Sequence, residues 1–229
     1  MPEIEKQFTY MLRFARHGFS RYIGHLDWIR IVQTALDRSG LPLVYTEGYT
    51  PKAKLKYSPP LPVGLESDCE LVLLHLSKRL TAETLMQSLN NSMPYGMNIT
   101  GAIHLYHPLA KNPFQSINGA LYEMLFHGRL TEEMKNRILD VFNNKDGSNG
   151  EIIEQSNLIV KVVNDDLFLM ETGNRIEYAA RLEEKQTFHP VKFAMALKNH
   201  LALEYMPEGK KLSFLKIEGK GARKLFQFD

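Results

Sequence analysis

The apolar residues of this chain switch between two periods, and the order of those switches constrains the fold most. FTYMLRFARHG, residues 8–18, alternates apolar and polar positions as a half-buried strand does, and Gly18 closes it. From His25 onward, Leu26, Ile29, Val32 and Leu36 recur at helical spacing with Ile31 and Ala35 beside them, and Gly40 stands where a helix stops. LPLVYT predicts a short strand, EGYTPK a turn, and LKYSPPLPVG an extended, proline-broken edge or loop. DCELVLLHLS predicts a strand. SKRLTAETLMQSLNNSM predicts a helix capped at Thr81 with Glu83 in its first turn, and MNITGAIHLYH another strand. Strand, helix, strand, strand, helix, strand is the βαββαβ plan of a ferredoxin-like sandwich.

The remaining residues repeat that plan without repeating the sequence. ALYEMLFHG predicts a strand and LTEEMKNRILDVFNN a helix. KDGSNG predicts a turn, EIIEQSN and LIVKVV short strands, and NRIEYAARL a longer one. VKFAMALKNHLAL after Pro190 is then a helix and KLSFLKIEG a last strand. HPLAKNPFQS, with two prolines and little periodicity, marks the boundary. The expected fold class is α+β: two tandem ferredoxin-like halves, antiparallel sheets with helices on one face. The first half is residues 1–107, a linker 108–117, and the second half 118–229 with a basic tail.

Composition bounds the chemistry. One cysteine, Cys69, excludes a disulfide within the chain and any thiolate cluster. MPEIEKQF has no signal pattern, and apolar runs such as LVLLHL are too short to cross a membrane. A cytoplasmic protein with no membrane contact, no metal and no cofactor is expected; oligomeric state is not legible. The net charge of +2 hides zoning. From Tyr10 to Pro60, Arg13, Arg16, Arg21, Arg30, Arg38, Lys52, Lys54 and Lys56 face only Asp27, Asp37 and Glu47. From Gly119 to Gln186 eight bases face thirteen acids, and the last stretch turns basic again.

Two segments carry the candidate chemistry. RHGFSRYIGHLD places Arg16, His17, Arg21 and His25 around a strand-to-helix turn. Free amides and guanidinium forks there favour an anion. The alternative is local capping, with Asp27 satisfying the helix start or pairing with Arg21 or His25. TEGYTPKAKLKY supplies Lys52, Lys54 and Lys56 at alternate positions, hence on one side of an extended segment, with Tyr49 and Tyr57 bracketing them and Tyr45 upstream. Cations among aromatic rings suit single-stranded nucleic acid; an edge strand guarded by lysines is the alternative. The two segments are expected to wall one groove. IEGKGARK lacks phosphate-loop spacing and predicts a flexible basic terminus. His104 and His107 have no further metal ligands at matching spacing, and Asp165–Asp166 and Glu183–Glu184 suit solvated loops.

RYIGHLD at 21–27, RSGLPL at 38–43 and YTEGYTPKAKLKYSPPLPVGLES at 45–67, in that order, resemble a bacterial domain of unknown function. That domain is found C-terminal to radical SAM enzymes or encoded apart as a radical-SAM-linked protein. The resemblance covers Arg13 to Glu70 well and weakens beyond residue 105. Family members carry an Asn-Pro-His-Pro type segment where this chain reads Thr50, Pro51, Lys52, Ala53, so that histidine is absent. The resemblance implies an accessory module, suspected of RNA recognition, beside a radical SAM partner.

The leading expectation is therefore a non-catalytic RNA- or substrate-binding module acting with a separately encoded radical SAM enzyme. Its binding residues would be Arg16, Arg21, His25, Tyr49, Lys52, Lys54, Lys56 and Tyr57. One alternative is a metal-independent endoribonuclease using His17, His25, Tyr22 and Arg21, an analogy at the level of fold. The other is a protein–protein adaptor using the acidic second half.

Overall fold

The computed structural model describes residues 7–106, 112–128, 130–143, 158–159, 175–182, 190–218, 221–226 and 228. The architecture is mixed α/β, with mostly antiparallel strand pairing, and divides into two units, Met1–Gln115 with Gln227–Asp229, and Ser116–Phe226.

In the first unit, β1 (Phe8–Arg16) leads through a 3-10 turn (Gly18–Tyr22) into α1 (His25–Arg38). Then follow β2 (Leu55–Tyr57), β3 (Glu66–Leu76), α2 (Ala82–Asn90) and β4 (Met97–Leu105). β1 lies antiparallel between β3 and β4, and β2 pairs with the far side of β3, giving the order β4-β1-β3-β2. Alternation along β1 and β3 turns Tyr10, Leu12, Phe14, Val72, Leu74 and Leu76 to one face. Trp28, Val32 and Leu36 recur every four residues on α1 and meet that face, as do Leu85 and Leu89 of α2. Burying each such side chain stabilises by about 1.5–3 kcal/mol. Trp28 sits at the centre, edge-on to Phe14 at 6.1 Å and to Tyr57 at 5.4 Å between ring centroids.

The ends of these helices follow the sequence. Ser39 caps α1, with its N–H on the Leu36 carbonyl, and Gly40 takes φ +67°. Thr81 caps α2 by accepting the Thr84 N–H at 3.2 Å, which is worth about 1 kcal/mol. LPLVYT is not a strand: it makes only isolated bridges, Leu43 to Leu76 and Tyr45 to Ala53. Pro42 has no N–H to give to a ladder.

The second unit contains β5 (Gly119–Leu125), α3 (Glu132–Asn143), β6 (Leu158–Ile159), β7 (Arg175–Arg181), α4 (Pro190–His200), β8 (Glu208–Glu218) and β9 (Gly221–Lys224). β5 pairs antiparallel with β7 and β8, β6 with β7, and β9 with β8. Tyr122 stacks on Tyr178 at 5.5 Å, and Tyr178 meets Phe193 of α4 edge-on. Glu123 pairs with Arg175 at 2.9 Å, with Lys210 at 3.9 Å, so one acid of the acidic zone is engaged internally. The basic tail is no loose terminus over 221–224, because β9 is laddered to β8 from Leu215↔Lys224 to Glu218↔Gly221. The KDGSNG turn, EIIEQSN, most of LIVKVV, Asp165–Asp166, Glu183–Glu184, His107 and linker residues 108–111 lie outside the described residues; Pro113–Ser116 is a 3-10 turn.

Candidate functional site

The turn between β1 and α1 is braced from three directions. Gly18, at φ +60°, lets the chain reverse direction directly after β1. From β1, Arg16 Nη2 donates to the carbonyls of Ser20 (2.8 Å) and Ile23 (2.6 Å). Next to β4, the Gly96 carbonyl accepts the His17 N–H at 2.8 Å, with the Ser20 hydroxyl 3.0 Å away. Ahead of β3, the Gly64 N–H donates to the Arg21 carbonyl at 2.8 Å.

An anion does sit at this turn, and the chain supplies it. Glu66, the first residue of β3, accepts the Gly18 N–H at 2.8 Å and Arg21 Nη2 at 2.9 Å on one oxygen. Its other oxygen lies 3.2 Å from His17 Nδ1, and His17 Nε2 lies 3.1 Å from Asp68, so the imidazole bridges two carboxylates. Burial pushes the Glu66 carboxyl up, but the hydrogen bonds from Gly18 and His17 and the charge of Arg21 outweigh it and hold it below its ordinary value. The expected anion site on Arg21 and the turn amides is thus taken by an internal carboxylate. Asp27 pairs with Arg30 at 2.7 Å.

Arg16 is corrected more sharply. It is 1% exposed, its guanidinium 5.8 Å from the Trp28 ring, so it faces the core rather than a ligand in solvent. The bulge between Phe14 and Arg16 shifts the register of β1 where it leaves β3. Burial lowers the Arg16 pKa, with Glu70 opposing. His25 packs its ring 5.7 Å from Trp28, half-buried. For a nuclease reading the cation would be Arg21, which Glu66 holds, while Tyr22 is exposed. Among the described residues no group of three or more His, Cys, Asp or Glu could hold a metal ion, and no helix is long and apolar enough to cross a membrane.

The lysine segment is a hairpin running into β2. The Thr46 N–H donates to the Lys52 carbonyl (2.8 Å), the Lys52 N–H to Thr46 Oγ1 (3.0 Å) and the Lys54 N–H to the Val44 carbonyl (2.9 Å). Gly48 at φ +125° forms the tip, and Tyr49 beside it is fully exposed. Ala53, Leu55 and Tyr57 pack on the core, so strand alternation turns Lys52, Lys54 and Lys56 the other way. Lys54 and Lys56 add their charge to the burial that lowers the pKa of His75. The same alternation removes Tyr57 from the binding set. Its ring meets Trp28, and its buried hydroxyl has no hydrogen-bond partner among the described residues.

The two segments do not wall one groove. The turn is tied to Glu66 and Asp68 at the start of β3, whereas Lys56 pairs with Leu73 and Val44 bonds to His75 near its end. Seven residues of strand separate Glu66 from Leu73, roughly 23 Å at 3.3 Å per residue.

Two exposed aromatic residues at the turn, Phe19 and Tyr95, were not among the residues expected from the sequence. Phe19 is 84% and Tyr95 95% exposed, and Tyr22, Leu26 and Val63 are exposed too. The Gly96 and Gly64 hydrogen bonds bring the neighbours Tyr95 and Val63 up to the turn. The signal was present: a five-residue turn with Phe19 and Tyr22 on either side of Ser20 and Arg21 can bury few side chains, and Ser20 takes the buried position.

Comparison with curated proteins gives no match. Among solved structures, an unknown protein from Galdieria sulphuraria aligns over 90% of this chain and 98% of its own at 10% identity, with a TM-score of 0.27, too low to carry an argument. A family model described as "Uncharacterized protein conserved in bacteria (DUF2344)" matches residues 9–164, more than half of the sequence. The chain belongs to that family of uncharacterized bacterial proteins.

Proposed function

We propose that this protein is a non-catalytic RNA-binding accessory module, built from two tandem ferredoxin-like halves and acting in the cytoplasm with a separately encoded radical SAM enzyme. The strand orders β4-β1-β3-β2 and β8-β5-β7-β6 support the fold reading, since each places the first strand of its half between the third and the fourth. The radical SAM partner rests on the resemblance of the motifs between Arg13 and Glu70. The observation carrying RNA binding is the hairpin: a fully exposed Tyr49 at its tip, beside three lysines turned away from the core. A ring face stacks a base, and the ammonium groups meet the backbone. Fluorescence anisotropy with a labelled single-stranded RNA tests it. Tyr49→Ala removes one stacking platform without touching the core and weakens binding roughly 5- to 150-fold, from about 1–3 kcal/mol per stacked base. Equal affinity of the variant and the parent defeats the reading.

A protein–protein adaptor role has its own observation in the exposed Phe19, Tyr22, Leu26 and Tyr95. The neighbouring charges are ion-paired, Arg21 with Glu66 and Asp27 with Arg30. Aromatic area among neutralised charges suits a protein partner better than a phosphate backbone. Phe19→Ser with Tyr95→Ser abolishes co-purification with the enzyme and spares RNA binding if this surface docks it; retained co-purification rejects that role.

A further inference from the structure

A groove of about 500 Å³ opens between α1 and the loop joining α2 to β4, and neither the turn nor the hairpin uses it. One wall is the outer face of α1, where Arg30, Thr34 and Arg38 follow one another at four-residue spacing. The other wall is the loop Asn91–Pro94. The volume lies in the small-molecule range of about 300–1,000 Å³.

The lining is chemically lopsided. It holds two guanidinium groups and no carboxylate. Arg30 is exposed and shares its charge with Asp27 through an i,i+3 pair that water screens, so an incoming anion can displace that contact. Arg38 is exposed in the last turn of α1 and pairs with no group among the described residues. The two arginines are about 12 Å apart along the helix axis at 1.5 Å per residue, and their long side chains can converge above Thr34. The Thr34 hydroxyl donates back to the Arg30 carbonyl at 2.8 Å, leaving its oxygen as an acceptor and the guanidinium groups as the donors to an anion.

The backbone donors of the opposite wall are already engaged, so an anion would be held from the arginine side. The N–H groups of Asn91, Ser92 and Met93 close on the carbonyls of Gln87, Leu89 and Asn90 at 3.2, 2.9 and 3.3 Å. That wall carries the polar side chains of Asn91 and Ser92 and the apolar Met93 and Pro94, and Ile31 and the buried Ala35 complete the apolar lining from α1. Guanidinium forks match phosphate oxygens, and the apolar lining suits a flat ring.

The geometry points to a second binding site here, one that takes a phosphate ester carried on a planar, largely apolar body, held by Arg30 and Arg38. Such a group comes from a free nucleotide or from one nucleotide of an RNA strand. The site uses no residue of the hairpin, so it stands or falls apart from RNA binding there.

The test is equilibrium binding of adenosine 5′-monophosphate, adenosine and a short single-stranded RNA to the full chain, its Arg38→Gln and Arg30→Gln variants, and the Lys52, Lys54 and Lys56 triple alanine variant. Both arginines are exposed, so unchanged thermal melts confirm intact variants. Saturable binding of the monophosphate, absent for adenosine, weakened about 10-fold or more by either arginine substitution and kept by the triple variant, assigns a free nucleotide. Binding of the RNA alone, weakened by the arginine substitutions within the triple variant, assigns a strand. No saturable binding of either phosphate ester, or binding indifferent to both arginines, overturns the site.

Discussion

Replacing Glu66 with alanine tests the physical account of the RYIGHLD turn most fully. The carboxylate accepts from Gly18 at 2.8 Å, from Arg21 at 2.9 Å and from His17 at 3.2 Å. A hydrogen bond to a charged group contributes about 1.5–3 kcal/mol when buried. Arg21 and Glu66 keep 19% and 22% of their side-chain surface in water, so screening reduces each contact, and about 2 kcal/mol is the expected total loss. Trp28 is the only tryptophan and is buried in the same unit, so its fluorescence during urea unfolding reports the loss. The slope of free energy against urea stays unchanged. Because the folded carboxyl is held below its ordinary value, its contribution is complete above the unfolded carboxylate pKa of about 4.3 and fades as pH falls through the folded value. The gap between parent and variant therefore narrows in acid. A gap below about 0.5 kcal/mol at neutral pH, the level of an unremarkable surface change, refutes the reasoning. So does a gap that persists unchanged in acid.

Two further substitutions separate backbone geometry from side-chain chemistry. Gly96→Ala puts a Cβ 2.6 Å from the His17 carbonyl oxygen at φ +82°, whereas Gly18→Ala at φ +60° meets nothing within 4 Å. Both carry the left-handed penalty of about 1–2 kcal/mol, and urea unfolding should show Gly96→Ala the more costly by at least a further ~1 kcal/mol. Tyr57→Phe removes a buried hydroxyl with no hydrogen-bond partner among the described residues, so stability holds or rises by about 1 kcal/mol and RNA affinity is unchanged. Lost RNA affinity in that variant returns Tyr57 to the binding set.

The periodicity of the chain carried α1, α2 and β4 because burial on one face imposes it, whereas β1 and β3 also bury Met11, Ala15, Leu71 and Leu73 on their second face and were legible as apolar runs. It failed at LPLVYT, where an apolar run lies beside Pro42 and only two bridges form. The residue types at RYIGHLD left an anion site and local ion pairing both open. That the anion is Glu66, forty-five residues after Arg21, was not legible, since pairing across β1 and β3 brings it there. Arg16 and Tyr57 were misplaced for a related reason. A bulge and a strand parity decide which way each side chain points, and neither shows in residue type.

The most direct test of RNA binding at the hairpin is its salt dependence. Affinity for single-stranded RNA, measured across a range of potassium chloride concentrations, gives a log–log slope that counts neutralised phosphates. Replacing Lys52, Lys54 and Lys56 together by alanine should flatten that slope by up to roughly 2 units, at about 0.7 per phosphate contact. A slope unchanged by the triple substitution, or no binding at low salt, contradicts the account.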